Sequence, residues 1–312
     1  MISEYNAFKG KKKDAVSRYF HIFDQFIPSL TSNFSEPMIP VELEDTTVFT
    51  FENLSLFPEI THFVSTRAGG VSEKNFSSLN TGFHVGDDNF RVSQNRRILA
   101  NSLGIALEKF TLANQCHSAN VAIVDGSGRG RGAFDKTDAL PNTDGLITSV
   151  SEICLGVQVA DCVPILLYDP KNRVIAALHA GWKGTIRKIA SEAVSKMLRH
   201  YGSRAENIYA GLGPSNGPCC YEVGGDVCRE AIKAFGTVKD IIMPAKEAGK
   251  YIFDQWKANF RLLTEAGIKP DHIEVSEICT QCRSEQFFSN RALEGVSGRF
   301  MAGIMLKKVR QH

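Results

Sequence analysis

The chain has 312 residues, 43% of them hydrophobic, 22% charged and 9% aromatic, with a formal net charge of +2. This is the composition of a globular protein with enough apolar material for a sizeable core, and the balance of 36 basic against 34 acidic residues gives no field for nucleic acid or an anionic membrane. No apolar stretch is long enough to span a bilayer, and the first residues carry an early acid, Glu4, with no apolar segment of the kind a secretory signal has. The expectation is a cytoplasmic protein whose eight cysteines stay reduced and act as core residues, ligands or nucleophiles.

Residues 1–45 read as an N-terminal extension of unassigned role. A basic run at 9–13 is a solvated end, and Val16, Phe20, Phe23 and Ile27 share one face of an amphipathic helix over 14–27. Strands are predicted at 47–51 and 61–66, followed by the loop Arg67-Ala68-Gly69-Gly70. A helix is predicted at 91–105, burying Val92, Ile98 and Leu99. The middle of the chain is rich in strands: 110–114, 120–124, 145–149, 153–160, 164–169 and 173–180. A helix over 185–202 repeats Ile186, Ile189, Ala190, Ala193, Val194, Met197 and Leu198 at helical spacing, with Gly202 where a C-terminal cap belongs. A strand at 207–213, helices at 227–236 and 252–267, and strands at 272–277, 286–290 and 300–308 complete the chain. Several strands follow one another with no helix between them. That order predicts a layered α+β fold with central mixed β-sheet flanked by helices, not a doubly wound parallel sheet. No linker divides residues 46–312, which are expected to form a single catalytic domain.

Three strand ends carry side chains that can do chemistry. The apolar run Val174–Leu178 stops at His179 and runs into Gly181-Trp182-Lys183-Gly184. Cys162 follows another apolar run, with Asp161 before it, and His117 lies between two more. Two imidazoles and a thiolate suit a catalytic zinc, which takes three protein ligands and leaves a fourth position open. The same atoms suit a metal-free site with Cys162 as nucleophile and His179 as its base, and they also suit plain packing. Trp182 reads as a core residue or as a wall against a planar substrate. Arg67 offers a planar fork for phosphate or carboxylate, or one half of an ion pair. Cys279-Thr280-Gln281-Cys282 is half of a structural zinc site, and no second pair stands at a suitable spacing. That pair reads as packing, with a redox role as the alternative, and the adjacent Cys219-Cys220 read as packing residues. The chain has no P-loop, G-x-G-x-x-G, G-x-S-x-G or H-E-x-x-H pattern.

Taken in order, STRAGGVS, LNTGFHVGDD, NRRILA, QCH, TDGLIT, ADCVPILLYDP, HAGWKGT, GLGPSNGPCCYEVG, FFSNRA and SGR resemble the laccase-domain family, once called multicopper polyphenol oxidases. Its members are regarded as zinc-dependent purine nucleoside phosphorylases with adenosine deaminase activity. The resemblance runs from about residue 47 to the C-terminus. It implies that His117, Cys162 and His179 are both the metal ligands and the catalytic residues, holding Zn2+, with Cu2+ as the other candidate. It implies adenosine, inosine or methylthioadenosine and phosphate as substrates, with free base and pentose 1-phosphate as products. Arg67, Lys183 and Arg291 would anchor phosphate or sugar. Asp161 would shuttle a proton in deamination or support a ligand. The other readings are a copper-dependent phenol oxidase and a metal-free cysteine hydrolase using Cys162 and His179; three ligands are too few for a multicopper cluster.

Overall fold

The computed structural model describes residues 38–308, so the helix expected at 14–27 lies outside the described residues. The first half of the chain forms β1 (Ile39–Glu42), β2 (Thr47–Thr50), a single turn α1 (Glu52–Ser55), β3 (Ile60–Ser65), α2 (Asn89–Ser102), β4 (Phe110–Thr111), β5 (Val121–Ile123) and β6 (Gly145–Thr148). It continues with β7 (Cys154–Val159), β8 (Val163–Asp169), β9 (Val174–Ala180), α3 (Trp182–Ile186), α4 (Ile189–Tyr201) and β10 (Tyr209–Leu212). The remainder forms β11 (Glu222–Gly224), α5 (Gly225–Phe235), β12 (Ile242–Pro244), β13 (Lys250–Phe253), α6 (Gln255–Glu265), β14 (Ile273–Val275) and β15 (Phe300–Leu306). Among the described residues no helix is long and apolar enough to cross a membrane.

Two six-stranded sheets carry the fold, in the orders β1-β2-β3-β15-β7-β4 and β14-β10-β8-β9-β6-β5. Both are mixed: β4 on β7, β5 on β6 and β10 on β14 are parallel, and the other pairs are antiparallel. The alternation of side chains along each strand sorts the core into layers. Leu155, Val157 and Val159 of β7 and Phe300, Ala302 and Ile304 of β15 meet Leu166 and Tyr168 of β8 and Ile175 and Ala177 of β9 between the sheets. The opposite faces of β8 and β9, with Ile165, Leu167, Val174, Ala176 and Leu178, pack on Ile189, Ala193 and Met197 of α4 and Leu262 of α6. On the outside of the first sheet, Phe63, Phe110, Met301 and Met305 pack on Leu99 and Ala100 of α2. This layered α+β arrangement agrees with the expected fold class. It also explains why β8 and β9 read as continuous apolar runs: both of their faces are buried.

Local details depart from the sequence reading where chemistry off the helix period intervenes. The helix expected at 252–267 starts later, because Asp254 caps α6 by accepting the Lys257 N–H at 2.9 Å and the residues before it join the ladder as β13. Lys188, at φ 62°, breaks the helix expected at 185–202 into α3 and α4. The strand expected at 286–290 is a turn; Phe287 and Phe288 are fully buried there by packing into the inter-sheet core, without a ladder. A small third sheet, β11-β13-β12, was not anticipated.

Candidate active site

β8 runs antiparallel to β9 with Val163 opposite Ala180 and Pro164 opposite His179. Cys162, the residue before β8, therefore emerges at the end where β9 stops. β6 flanks β9 on its other side with Gly145 opposite Leu178, and the His179 N–H donates to the carbonyl of Asp144 at 2.7 Å. Because β5 is parallel to β6, the loop that leads into β5 arrives at the same edge, carrying His117. Three segments distant in sequence thus meet for a topological reason. One nitrogen of each imidazole and the Cys162 sulfur lie within 4.8 Å of one another. Cys162 Sγ is 3.9 Å from His117 Nε2, and the two imidazoles meet edge to face with centroids 4.8 Å apart.

Asp144, 1% exposed, organises this edge. Its carboxylate accepts the N–H of His117 at 3.0 Å and of Ser118 at 2.7 Å, and the Ser118 hydroxyl at 2.6 Å. These bonds hold His117 at φ 60°, a left-handed conformation that costs about 1–3 kcal/mol for a residue bearing a side chain. Asp144 Oδ1 also accepts from His179 Nδ1 at 2.8 Å, which leaves His179 Nε2 for an ion and fixes the ring. Burial alone would raise the pKa of Asp144, but the hydrogen bonds from His179 and Ser118 win and hold it well below the usual carboxylate range. Burial likewise opposes ionisation of Cys162, yet the charge on His179 and the contact with His117 draw the thiol down to about 6. The Cys162 thiolate and Asp144 in turn lift His179 against its own burial.

Gly181 is required by close approach. A Cβ there would stand 2.8 Å from Cys162 Sγ and 3.0 Å from His117 Cδ2, so any side chain would displace two members of the trio. On the other side of Cys162, Asp161 sits at φ 82°. Its carboxylate accepts from the Thr280 hydroxyl and the Arg291 N–H, both at 2.6 Å, and its carbonyl accepts from the Asn216 N–H at 2.9 Å. Both carboxylate oxygens are thus engaged in holding the backbone beside Cys162. Two imidazoles and one thiolate, with the charge-stabilising carboxylate behind one imidazole, match the donor set of a catalytic zinc.

A family model described as multi-copper polyphenol oxidoreductase laccase matches residues 61–307. The chain belongs to this family. A purine nucleoside phosphorylase of Bacteroides thetaiotaomicron is 34% identical over 85% of this chain and 98% of its own length. The adenosine deaminase RL5, from an unknown prokaryotic organism, is 38% identical over 78% of this chain and 93% of its own length. The crystal structure of YlmD from Geobacillus stearothermophilus superposes with a TM-score of 0.82 at 34% identity, covering 87% of this chain and all of that one (100%).

In this member of the laccase family the three cations singled out from sequence have different surroundings. Arg291 donates its backbone N–H to Asp161, the residue before Cys162, and its guanidinium lies 5.2 Å over the Tyr221 ring. Lys183, exposed, follows Gly181 by two residues and lies 5.5 Å over Trp182. Arg67 donates to the carbonyls of Ser77 and Ser284, both at 2.7 Å, and stacks on Phe288. A cavity of about 140 Å³ adjoins the edge, lined by Phe83, His84, Arg96, Gln115 and Gln158 among others.

Sequence reasoning missed two residues that the structure brings to the site. Asp144 stood inside the TDGLIT motif without a role. Arg299, in the SGR motif, is half-buried, donates to the carbonyls of Ser297 and Gly298, and is close enough to Cys162 and Asp161 to feel their charge. Sequence reasoning also set aside Cys219-Cys220 and Cys279-x-x-Cys282 as unrelated packing pairs. The structure brings all four together.

Proposed function

We propose that the chain is a zinc-dependent purine nucleoside phosphorylase that also deaminates adenosine, with His117, Cys162 and His179 as metal ligands and catalytic residues. The observation that carries this reading is the trio's convergence, with Asp144 bonded to His179 Nδ1 and to the loop of His117. The names of the relatives support the substrate class: purine nucleosides and phosphate. When bound, zinc supplies a Lewis acid at the open position. The protein's own part is positioning and charge. Asp144 fixes the tautomer of His179, Gly181 leaves room beside the thiolate, and Asp161 holds the backbone of Cys162. Phosphorolysis builds positive charge on the sugar and negative charge on the leaving base, so phosphate must be held beside the sugar carbon. Arg291 and Lys183 are proposed as its anchors, with Arg67 ordering the outer loop, and Arg299 adds a half-buried positive charge near Cys162.

A second reading draws on one observation. Without metal, Cys162, His179 and Asp144 form a thiolate–imidazolium–carboxylate relay. A multicopper oxidase has less support, since the trio is too small for such a cluster and the other donor group among the described residues is all cysteine, with no histidine.

The test is incubation of the metal-analysed protein with adenosine, inosine and methylthioadenosine, with and without phosphate. Phosphate-dependent release of free base is expected, and inosine with ammonia from adenosine. Full zinc occupancy of the trio with no nucleoside consumed would overturn the proposal. Turnover surviving complete removal of metal would favour the cysteine relay.

A further inference from the structure

We propose that Cys219, Cys220, Cys279 and Cys282 form a second metal site, a structural tetrathiolate that takes a zinc ion. Their sulfur atoms all lie within 4.8 Å of one another. Cys282 Sγ is 3.3 Å from Cys220 Sγ and 3.5 Å from Cys219 Sγ. Four sulfurs at about 2.3 Å around a tetrahedral ion stand roughly 3.8 Å apart, which small rotations of these side chains supply. A full set of four protein ligands and no histidine or carboxylate is the composition of a closed, structural zinc site. Packing does not account for the cluster: Cys219 and Cys282 are exposed, and only Cys279 is buried, whereas a cysteine used as a small apolar residue is buried.

The topology makes the meeting unavoidable. β10 and β14 are parallel neighbours, so the loops after them leave the sheet at the same end. Those loops are zipped together: the Ser215 N–H donates to the carbonyl of Ile278 at 3.1 Å and the Thr280 N–H to that of Ser215 at 3.0 Å. Donors also converge on sulfur. The Gly217 N–H reaches Cys279 Sγ at 3.3 Å. The buried Asn216 amide lies with Oδ1 3.8 Å from the same sulfur while its Nδ2 has no partner. Turning that amide over points an N–H at Cys279 Sγ, an arrangement that suits a thiolate acceptor.

The consequence reaches the first site. Thr280 and Asn216, which belong to these two loops, are the residues that hold the carboxylate and the carbonyl of Asp161. An ion bridging the loops therefore clamps the support of the residue next to Cys162, and it stabilises the folded chain because the unfolded chain has no preformed site.

The experiment is metal analysis of the full-length protein, purified under reducing conditions without chelator, as wild type, Cys282→Ser, Cys279→Ser and Cys162→Ala. Two zinc ions per chain are expected in the wild type and one in each variant. The cobalt-substituted Cys162→Ala protein is expected to show the sulfur-to-metal charge-transfer bands of a thiolate-only site. Alkylation mapped by mass spectrometry gives a check that needs no variant: zinc-loaded wild type is expected to protect all four cysteines, and chelation to expose them together. One zinc per chain, retained by Cys282→Ser, would overturn the proposal. So would a disulfide within the tetrad in the freshly isolated, reduced protein, which would mark a redox pair instead.

Discussion

His117, Cys162 and His179 stand at the ends of strands and in a loop pinned by a buried carboxylate, whereas Cys219, Cys220, Cys279 and Cys282 stand on two loops zipped to each other. The trio has mixed donors, three in number, with a charged group behind one imidazole and a glycine clearing the space beside the thiolate. The tetrad has uniform donors, four in number, with peptide N–H support. A three-donor set held by the core suits exchange of substrates at an open position; a four-donor set that links loops suits permanent closure. The two regions meet at Asp161, whose peptide is held by the tetrad loops and leads directly into Cys162. What separates the two clusters is the number of donors and what stands behind them: a carboxylate behind His179 in the trio, peptide N–H groups in the tetrad.

The sharpest way to break this comparison is Cys162→Ala. Removing the only thiolate of the trio is expected to lower phosphorolysis by at least about 1,000-fold and to release the trio's metal, as measured by steady-state assay and metal content on one preparation, with the tetrad still loaded. If the tetrad empties too, the two sites are one cooperative unit. Next in size is Asp144→Asn. It weakens every charge-assisted bond to the His117 loop and to His179, so a loss of roughly 3 kcal/mol in urea unfolding is expected, with metal affinity at the trio lower by about 10- to 100-fold. An unchanged affinity would show that the strand ends alone orient the ligands.

A titration then separates acid sensitivity of the core from that of the ligands. His62, 7% exposed, accepts the Phe51 N–H at 2.9 Å through Nε2, and burial pulls its pKa from 6.5 down to about 4. The folded protein keeps His62 neutral while the unfolded chain takes up a proton below pH 6.5. Stability is therefore full above pH 6.5 and is lost as pH falls towards 4, by at most roughly 3 kcal/mol from this residue. Urea midpoints between pH 7 and 4 should fall less steeply in His62→Gln than in wild type; identical slopes would assign the sensitivity to other groups, among them His84, whose pKa burial also pulls down to about 4, and the trio. The smallest effect on stability, about 1–2 kcal/mol, is expected for Gly181→Ala. Its added carbon meets Cys162 Sγ and His117, so turnover should fall far more than the unfolding midpoint. A variant as active as wild type would show that the trio tolerates displacement.

The apolar runs of β8, β9 and β15 were legible in the sequence because burial on both faces leaves an uninterrupted signature. The trio was legible because each member interrupts or follows such a run. The turn at Phe287 and Phe288 was misread as a strand because a buried aromatic pair looks the same whether its backbone pairs or not. The late start of α6 and the break at Lys188 escaped because a capping aspartate and one left-handed residue act below the resolution of a hydrophobic period. Asp144 was hidden for a different reason. An aspartate before a strand is common, and only the pairing of β6 with β9 turns its carboxylate towards His179.

The cysteines show most plainly where the division falls. The sequence by itself determined which residues could serve as ligands, since donor chemistry belongs to the side chain, and which strands would fill the core, since that follows from apolar patterning. It could not determine that Cys219-Cys220 and Cys279-x-x-Cys282 belong together. Their separation along the chain matches no ligand spacing, and their proximity arises from the parallel pairing of β10 and β14, a long-range hydrogen-bonded register that local sequence does not encode.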